Sequence, residues 1–395
     1  MKLQISPFPR LLLLSTAYFL FGFCSLAVIG LLPGMARDLH EPPEALAWLV
    51  AAFSTAFAIG AVVVPKWTYR QSPRTLLIVG LLGLAAGALM LALSPTSTWA
   101  NLARWVQGLS SALIGPTASL FAVLLSPPEY RGRALGLVFG GTMMAMVIGM
   151  PLASWMGEWM SWRWIFALIA LASLVIALAV RWLLPIGSNA QKPDGFLQTA
   201  FQSVIGFALL TAMLRMAAQF ACYTLIGTLA IERFGLSAAS IVFVLLAYGI
   251  SGMTGNFAAG QWVDRYGVYP VLRWCGVALV VSYMGLCLLS GNSSAPLIWI
   301  TIICWGFSSV MFATPQQAFL VGQPAPAIAS VSLSLNAAAS YVGMALGSGA
   351  AGMIALKLGH DALVWFSLLL AVLSIITSEA ALAASQRCGR NVPKE

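Results

Sequence analysis

Two arginines stand deep inside long apolar runs of this sequence, Arg104 between Ala103 and Trp105, and Arg215 between Leu214 and Met216. A guanidinium stays charged and carries five donors in a rigid fork. In surroundings of low dielectric it favours an anionic or zwitterionic group, or a partner rich in hydroxyl acceptors. Each arginine belongs to a stripe at helical spacing. Arg104, Gln107, Ser111 and Gly115 share one face, as do Thr211, Arg215, Gln219 and Cys222, with Tyr223 alongside. Ser15, Tyr18, Gly22 and Ser25 repeat the pattern, and so do Trp305, Ser309, Phe312 and Gln316. A fifth stripe runs through Ser332, Asn336, Ser340, Gly343 and Gly347. Tyr18, Ser25, Gln107, Gln219, Tyr223, Gln316 and Asn336 offer hydrogen bonds to a bound solute, while Trp305 and Phe312 offer rings to stack on. The competing role is structural. Small and weakly polar residues also pack helices together, and a buried arginine can bond a neighbouring carbonyl.

The elements that carry these stripes follow from composition. Of 395 residues, 60% are hydrophobic and 8% are Asp, Glu, Lys or Arg, against about 25% charged in an ordinary soluble domain. So few charges cannot cover a soluble protein of this length, and the soluble class is excluded. Apolar runs long enough to cross a bilayer lie at 11–33, 46–65, 75–94, 99–125, 134–157, 163–184, 199–223, 236–260, 270–290, 296–320, 327–355 and 361–384. The first is too long for the apolar part of a secretory leader and reads as a retained helix. The predicted fold is all-α and integral to the membrane: twelve helices in two pseudo-symmetric six-helix bundles. These are 1–184 and 199–395, joined by a cytoplasmic linker at 185–198 that is rich in Pro, Gly and polar residues.

Position also explains the net charge of +9. With both termini in the cytoplasm, the outer loops receive only Arg37, Arg163, Arg233 and Lys357 of the 20 Lys and Arg, as the positive-inside rule requires. There is no basic run with interleaved aromatics, so nucleic acid is not a partner. The six cysteines form no CxxC pair and read as packing thiols. No metal or cofactor is expected. Four of the five polar stripes fall on spans one, four, seven and ten, every third helix, which points to a polar cavity for a small solute. Spans three, six and twelve are apolar nearly all round and read as lipid-facing.

Five motifs carry a family resemblance. Arg104-Trp105-Val106-Gln107-Gly108 resembles the Arg-x-x-Gln-Gly motif of span four in the drug:proton antiporter branch of the major facilitator superfamily. Gly149-Met150-Pro151-Leu152-Ala153-Ser154 resembles that branch's span-five antiporter motif, with Ala153 and Ser154 in place of Gly and Thr. Ser161-Trp162-Arg163-Trp164, followed by Phe166, is similar to the start of span six, and Gly30-Leu31-Leu32-Pro33 to the end of span one. Gly260 to Gly267, with Asp264 and Arg265, matches the superfamily's inner-loop motif. The equivalent first-half loop, Pro65 to Arg74, keeps basic residues and lacks the acid. The whole chain is most similar to sugar- and arabinose-efflux-like permeases.

The resemblance implies a secondary transporter of the bacterial inner membrane, acting as a monomer, which exports a small solute by alternating access in exchange for protons. Arg104 is the position such relatives implicate in proton coupling. Gly149 and Pro151 would form a hinge, and Asp264 a cytoplasmic latch on a facing helix end. Many relatives carry a carboxylate in span one. Here the nearest is Asp38 at its outer end, expected within reach of Arg104, and it is the proton-binding candidate. An importer, a facilitator or an exchanger of an anionic or zwitterionic metabolite is the alternative. An embedded enzyme would need convergent nucleophiles or metal ligands, and the spans contain no HExxH, GxSxG or paired aspartates.

Overall fold

In hydrocarbon a backbone must satisfy its own hydrogen bonds, and a helix does so within one segment. In a computed structural model of the chain, the described residues (7–68, 70–127, 130–186, 203–289, 293–322 and 326–390) form helices and no strand. The chain divides into two compact units. The first comprises Met1–Pro42 and Trp48–Pro193, the second Pro43–Ala47 and Asp194–Glu395. The predicted linker lies outside the described residues from 187 onward.

The first unit contains α1 (Pro7–Leu39), α3 (Trp48–Thr68), α4 (Pro73–Ala92), α5 (Ser97–Leu124), α6 (Arg131–Met144), α7 (Met150–Trp159) and α8 (Trp162–Leu183). Loop residues start several of them. Ser72 Oγ accepts the Thr75 N–H, Thr96 Oγ1 accepts that of Trp99, and Ser161 Oγ accepts that of Arg163. A five-residue π turn, Ala145–Gly149, joins α6 to α7, and the Met150 N–H bonds to the Ala145 carbonyl. Pro151 follows it. Its missing N–H loosens the ladder at this point. Along this span Gly141, Ala145 and Gly149 are buried. A Cβ on Gly141 would strike the Ser15 carbonyl of α1, and one on Gly149 would lie 2.8 Å from Phe23. The small residues thus set a close α1–α6–α7 contact.

The second unit contains the short α2 (Pro43–Leu46), then α9 (Ser203–Thr224), α10 (Ile241–Tyr266), α11 (Val268–Leu288), α12 (Ala295–Val310), α13 (Ala313–Val321) and α14 (Pro326–Arg390). The same device recurs here. Gly343 and Gly347 on α14 face the Met213 and Ala217 carbonyls of α9 so closely that a side chain would collide with backbone. Eleven helices among the described residues are long and apolar enough to cross a membrane. The longest, α14, has 65 residues and is broken at Gly359 (φ 83°, ψ 173°), a conformation that favours glycine. Gly267 (φ 83°) turns the chain from α10 into α11. As expected for a lipid-facing span six, α8 exposes Leu168, Leu171, Leu174, Val175, Leu178 and Trp182.

Candidate solute site

In the first unit the Arg104 guanidinium is fully buried and works as a clamp on backbone. Nε donates to the Leu49 carbonyl at 2.9 Å, Nη1 to the Cys24 carbonyl at 2.7 Å, and Nη2 to the Ser25 carbonyl at 2.9 Å. Nη1 also meets Gln107 Oε1 at 2.8 Å, and the Phe53 ring centre lies 4.4 Å from Cζ. Each residue of the Arg-x-x-Gln-Gly motif then has a physical task. Arg104 ties α5 to α1 and α3, and Gln107 holds the fork in place. Gly108 lets α5 approach the Phe53 carbonyl more closely than any side chain allows. Ser25 contributes its carbonyl to this knot. Tyr18 belongs to a separate group, its hydroxyl 3.1 Å from Ser119 Oγ and its ring 5.3 Å from Phe139.

The expected reach from Asp38 to Arg104 is not found. Arg104 engages α1 at Cys24 and Ser25, thirteen to fourteen residues before Asp38, which is about 20 Å along a helix. Asp38 instead accepts the Trp162 indole N–H at 3.0 Å. Arg163 caps the end of α4 from the same corner, donating to the Ala92 and Ser94 carbonyls at 3.1 and 2.6 Å, with its Cζ 4.4 Å from the Trp162 ring centre. The Trp-Arg motif is a brace between the ends of α1, α4 and α8.

In the second unit Arg215 is also buried, with Nη2 donating to the Cys275 and Ser308 carbonyls at 3.2 and 3.3 Å. Phe312, expected to stack on a solute, lies under this guanidinium at 4.3 Å. Gln316 Nε2 donates to the Ala208 carbonyl at 2.8 Å and to Asn336 Oδ1 at 3.3 Å, so these two expected residues meet. The Arg215 Nε is buried without a hydrogen bond.

Beyond Arg215 lies an aromatic box. Tyr223 stacks on Tyr248 at 4.4 Å, Trp305 stands edge-on to Tyr248 at 4.7 Å, and Tyr283 lies 6.1 Å from Trp305. Tyr283 donates its hydroxyl to the Ala218 carbonyl at 2.7 Å. Three other polar atoms around the box differ from it. Tyr248 Oη, Trp305 Nε1 and Ser309 Oγ are all buried without a hydrogen bond. Gln219 and Ser309 flank the Tyr248 hydroxyl, and the Tyr283 hydroxyl flanks the Trp305 indole N–H, none with the geometry of a full bond. An apolar recess lined by Cys222, Ile226, Phe234, Val244 and Leu286 adjoins the Trp305 ring. Tyr248 and Tyr283 were not among the expected residues. Tyr248, three residues before Ser251 and four before Gly252, was the available signal in span eight.

Most acids are engaged at the periphery. Glu379 forms a two-pronged pair with Arg273 at 2.7 and 2.8 Å. Arg233, outside the spans, pairs with Asp361 and donates to the Leu286, Cys287 and Leu289 carbonyls, and its burial pulls the guanidinium below the usual arginine range. His360 lies 3.2 Å from Glu232 and 3.4 Å from Glu44. Asp264, expected to latch a facing helix end, is exposed and makes no hydrogen bond or ion pair among the described residues. Arg265 beside it lies over the Tyr266 ring at 5.1 Å, and a Cβ added to Gly260 would lie 3.7 Å from the Thr314 methyl.

Residues 14–348 match the family model of the Major Facilitator Superfamily. The chain belongs to that superfamily. Its relatives include the uncharacterized MFS-type transporter YtbD of Bacillus subtilis, 26% identical over 94% of both chains. They also include the inner membrane transport protein YdhP of Escherichia coli K12, 26% identical over 89% of this chain and 90% of that one. A chloramphenicol efflux pump of Mycobacterium tuberculosis is 25% identical over 70% of this chain and 66% of the pump. Among solved structures, a bacterial homologue of the human lysosomal transporter Spinster, inward-facing and occupied, superposes with a TM-score of 0.73. It is 14% identical and covers 98% of this chain and 97% of its own. At that identity the likeness speaks to fold alone. The protein is thus a transporter rather than an enzyme, a multi-pass protein of the bacterial inner membrane that handles a small-molecule substrate.

Proposed function

We propose that the protein is a secondary active exporter, carrying a small ring-bearing solute out of the cell by alternating access in antiport with protons. Twelve spans with both termini cytoplasmic complete this reading. It treats the break at Gly359 as the boundary between spans eleven and twelve, and it takes the orientation from the positive-inside rule. The working unit is a monomer.

The observation that carries the reading is the set of buried, unpartnered polar atoms in the aromatic box: Tyr248 Oη, Trp305 Nε1 and Ser309 Oγ. A buried polar group without a hydrogen bond costs about 1–3 kcal/mol, and folded proteins rarely keep three together. Here they offer donors to a guest with hydroxyl or carbonyl acceptors, while Tyr223, Tyr248 and Trp305 offer rings to stack on. Arg104 contributes field rather than contact, because its donors engage backbone carbonyls and Gln107, whereas Arg215 engages two carbonyls through Nη2 and keeps Nε unpartnered. The motifs at Arg104 and Gly149–Ser154, together with the chloramphenicol efflux relative, favour export.

The test is transport in proteoliposomes with a pH gradient, starting with chloramphenicol and a panel of hydroxyl-bearing aromatic compounds. Gradient-dependent movement that Trp305→Ala abolishes is the expected result. Transport of small aliphatic anions alone would favour the exchanger instead.

A further inference from the structure

At one end of the first unit, α4 and α8 enclose a cleft of about 330 Å³ lined by Arg74, Thr75, Ile78, Val79 and Arg181. The backbone makes it. Arg74 donates from its own N–H to the Ile186 carbonyl at 3.5 Å and from Nη1 to the Leu184 carbonyl at 3.3 Å, stitching the start of α4 to the end of α8. Arg181 is exposed and makes no hydrogen bond or ion pair among the described residues. Among the described residues no acid pairs with either arginine. The sequence contains no Asp or Glu between Glu44 and Glu129, and none between Glu158 and Asp194, so both helices are free of carboxylates.

Two cations without a counter-charge, in a cleft with a hydroxyl, form a receptor for an anion with several oxygens. The surface leading away from it decides which anion. Val79 and Leu82 on α4 and Val175 and Leu178 on α8 are 45–58% exposed, and Trp182 beside Arg181 is 78% exposed. An exposed apolar track ending in a tryptophan and two arginines is the profile of a helix pair crossing from hydrocarbon to headgroup level.

We propose that this cleft holds the phosphate of an anionic phospholipid between Arg74 and Arg181, with an acyl chain along the Val79–Leu82 and Val175–Leu178 faces. The α4–α8 corner is then a specific lipid site on the first unit, independent of the solute box in the second.

Native mass spectrometry of the purified full-length protein in detergent tests this. Dioleoyl phosphatidylglycerol is added in one arm, dioleoyl phosphatidylcholine in a second and inorganic phosphate in a third. The wild type should retain phosphatidylglycerol in preference to phosphatidylcholine, and phosphate should not displace it. Losing one arginine should lower retention roughly fivefold, the worth of one basic residue toward an anionic lipid. Arg181→Gln is the primary variant, because this side chain bonds nothing among the described residues and its loss leaves the Arg74 stitches in place. Arg74→Gln, checked for an unchanged melting temperature, should add to the effect. Equal retention of both lipids overturns the proposal, as does undiminished phosphatidylglycerol retention by Arg181→Gln. Full displacement by free phosphate at matched concentration would reassign the cleft to a soluble anion and overturn the lipid.

Discussion

Trp305 stands edge-on to Tyr248 at 4.7 Å, and the polar atoms of both, Nε1 and Oη, are buried with no hydrogen-bond partner. Two rings packed this well do not require those atoms. Phenylalanine would fill the place of Tyr248 without burying an unsatisfied hydroxyl.

Stability and activity should therefore part company at this position. Tyr248→Phe and Ser309→Ala each remove one unpartnered oxygen, a relief of about 1–3 kcal/mol for a fully desolvated group. Their melting temperatures in detergent should equal or exceed the wild type. Solute transport should fall about tenfold, the loss of one recognition hydrogen bond. A variant that melts lower and transports normally would place the hydroxyl in the fold and not in the site.

The spans and stripes were legible because a polar residue stands out in an apolar run and the helical period assigns it a face. The fate of each polar side chain was not. Arg104 reads the same in sequence whether it faces a cavity or a carbonyl. The outcome depends on Gly108 drawing α5 onto the Phe53 backbone, which brings Leu49 within 2.9 Å. Tyr248 carries no such contrast, because it shares its span with Ser251, Thr254 and Asn256, and its importance comes from Tyr223 and Trp305, which other helices deliver. The docking of Pro43–Ala47 in the second unit had no local signal, since it joins residues far apart in the chain.

Arg104 and Arg215 should respond differently to truncation. Arg104 makes four hydrogen bonds of 2.7–2.9 Å that join three helices, whereas Arg215 makes two at 3.2–3.3 Å and leaves Nε unpartnered. Removing one side of a buried charged network costs about 3–5 kcal/mol. Arg104→Ala should therefore lose folded protein on size-exclusion chromatography, and Arg104→Lys should rescue it only in part, because an ammonium lacks the fork. Arg215→Ala should stay folded and lose transport. The reverse ranking in thermal stability would show that the α1–α3–α5 clamp is not what Arg104 contributes.

Two adjacent glycines of α6 provide an internal control for the close packing of the first unit. A Cβ on Gly141 would enter the Ser15 carbonyl of α1, while one on Gly140 would meet nothing within 4 Å. Gly140→Ala should be neutral or stabilising, by up to about 0.5–1 kcal/mol from reduced backbone freedom. Gly141→Ala must push α1 away and should lower the melting temperature by several degrees, an overpacking penalty of about 1–3 kcal/mol. Equal behaviour of the two, read by thermal denaturation of the purified protein, would mean that α1 and α6 are not in the contact described.

Asp38 is the carboxylate through which proton coupling is most directly tested, because its hydrogen-bonding role and its acidic oxygen can be separated by substitution. It accepts the Trp162 indole N–H at 3.0 Å, and an asparagine Oδ1 accepts the same bond. Asp38→Asn therefore keeps the brace between α1 and α8 and removes only the capacity to take up and release a proton. In proteoliposomes, solute counterflow without a gradient needs the alternating motion alone and should stay near wild type. Accumulation driven by an imposed pH gradient needs a proton carried in each cycle and should fall to background. Trp162→Phe removes the indole donor and leaves the carboxylate, so it should retain gradient-driven accumulation while lowering the melting temperature. Wild-type accumulation by Asp38→Asn would transfer the proton to another group, and Glu158, exposed at the end of α7, would be the next to replace.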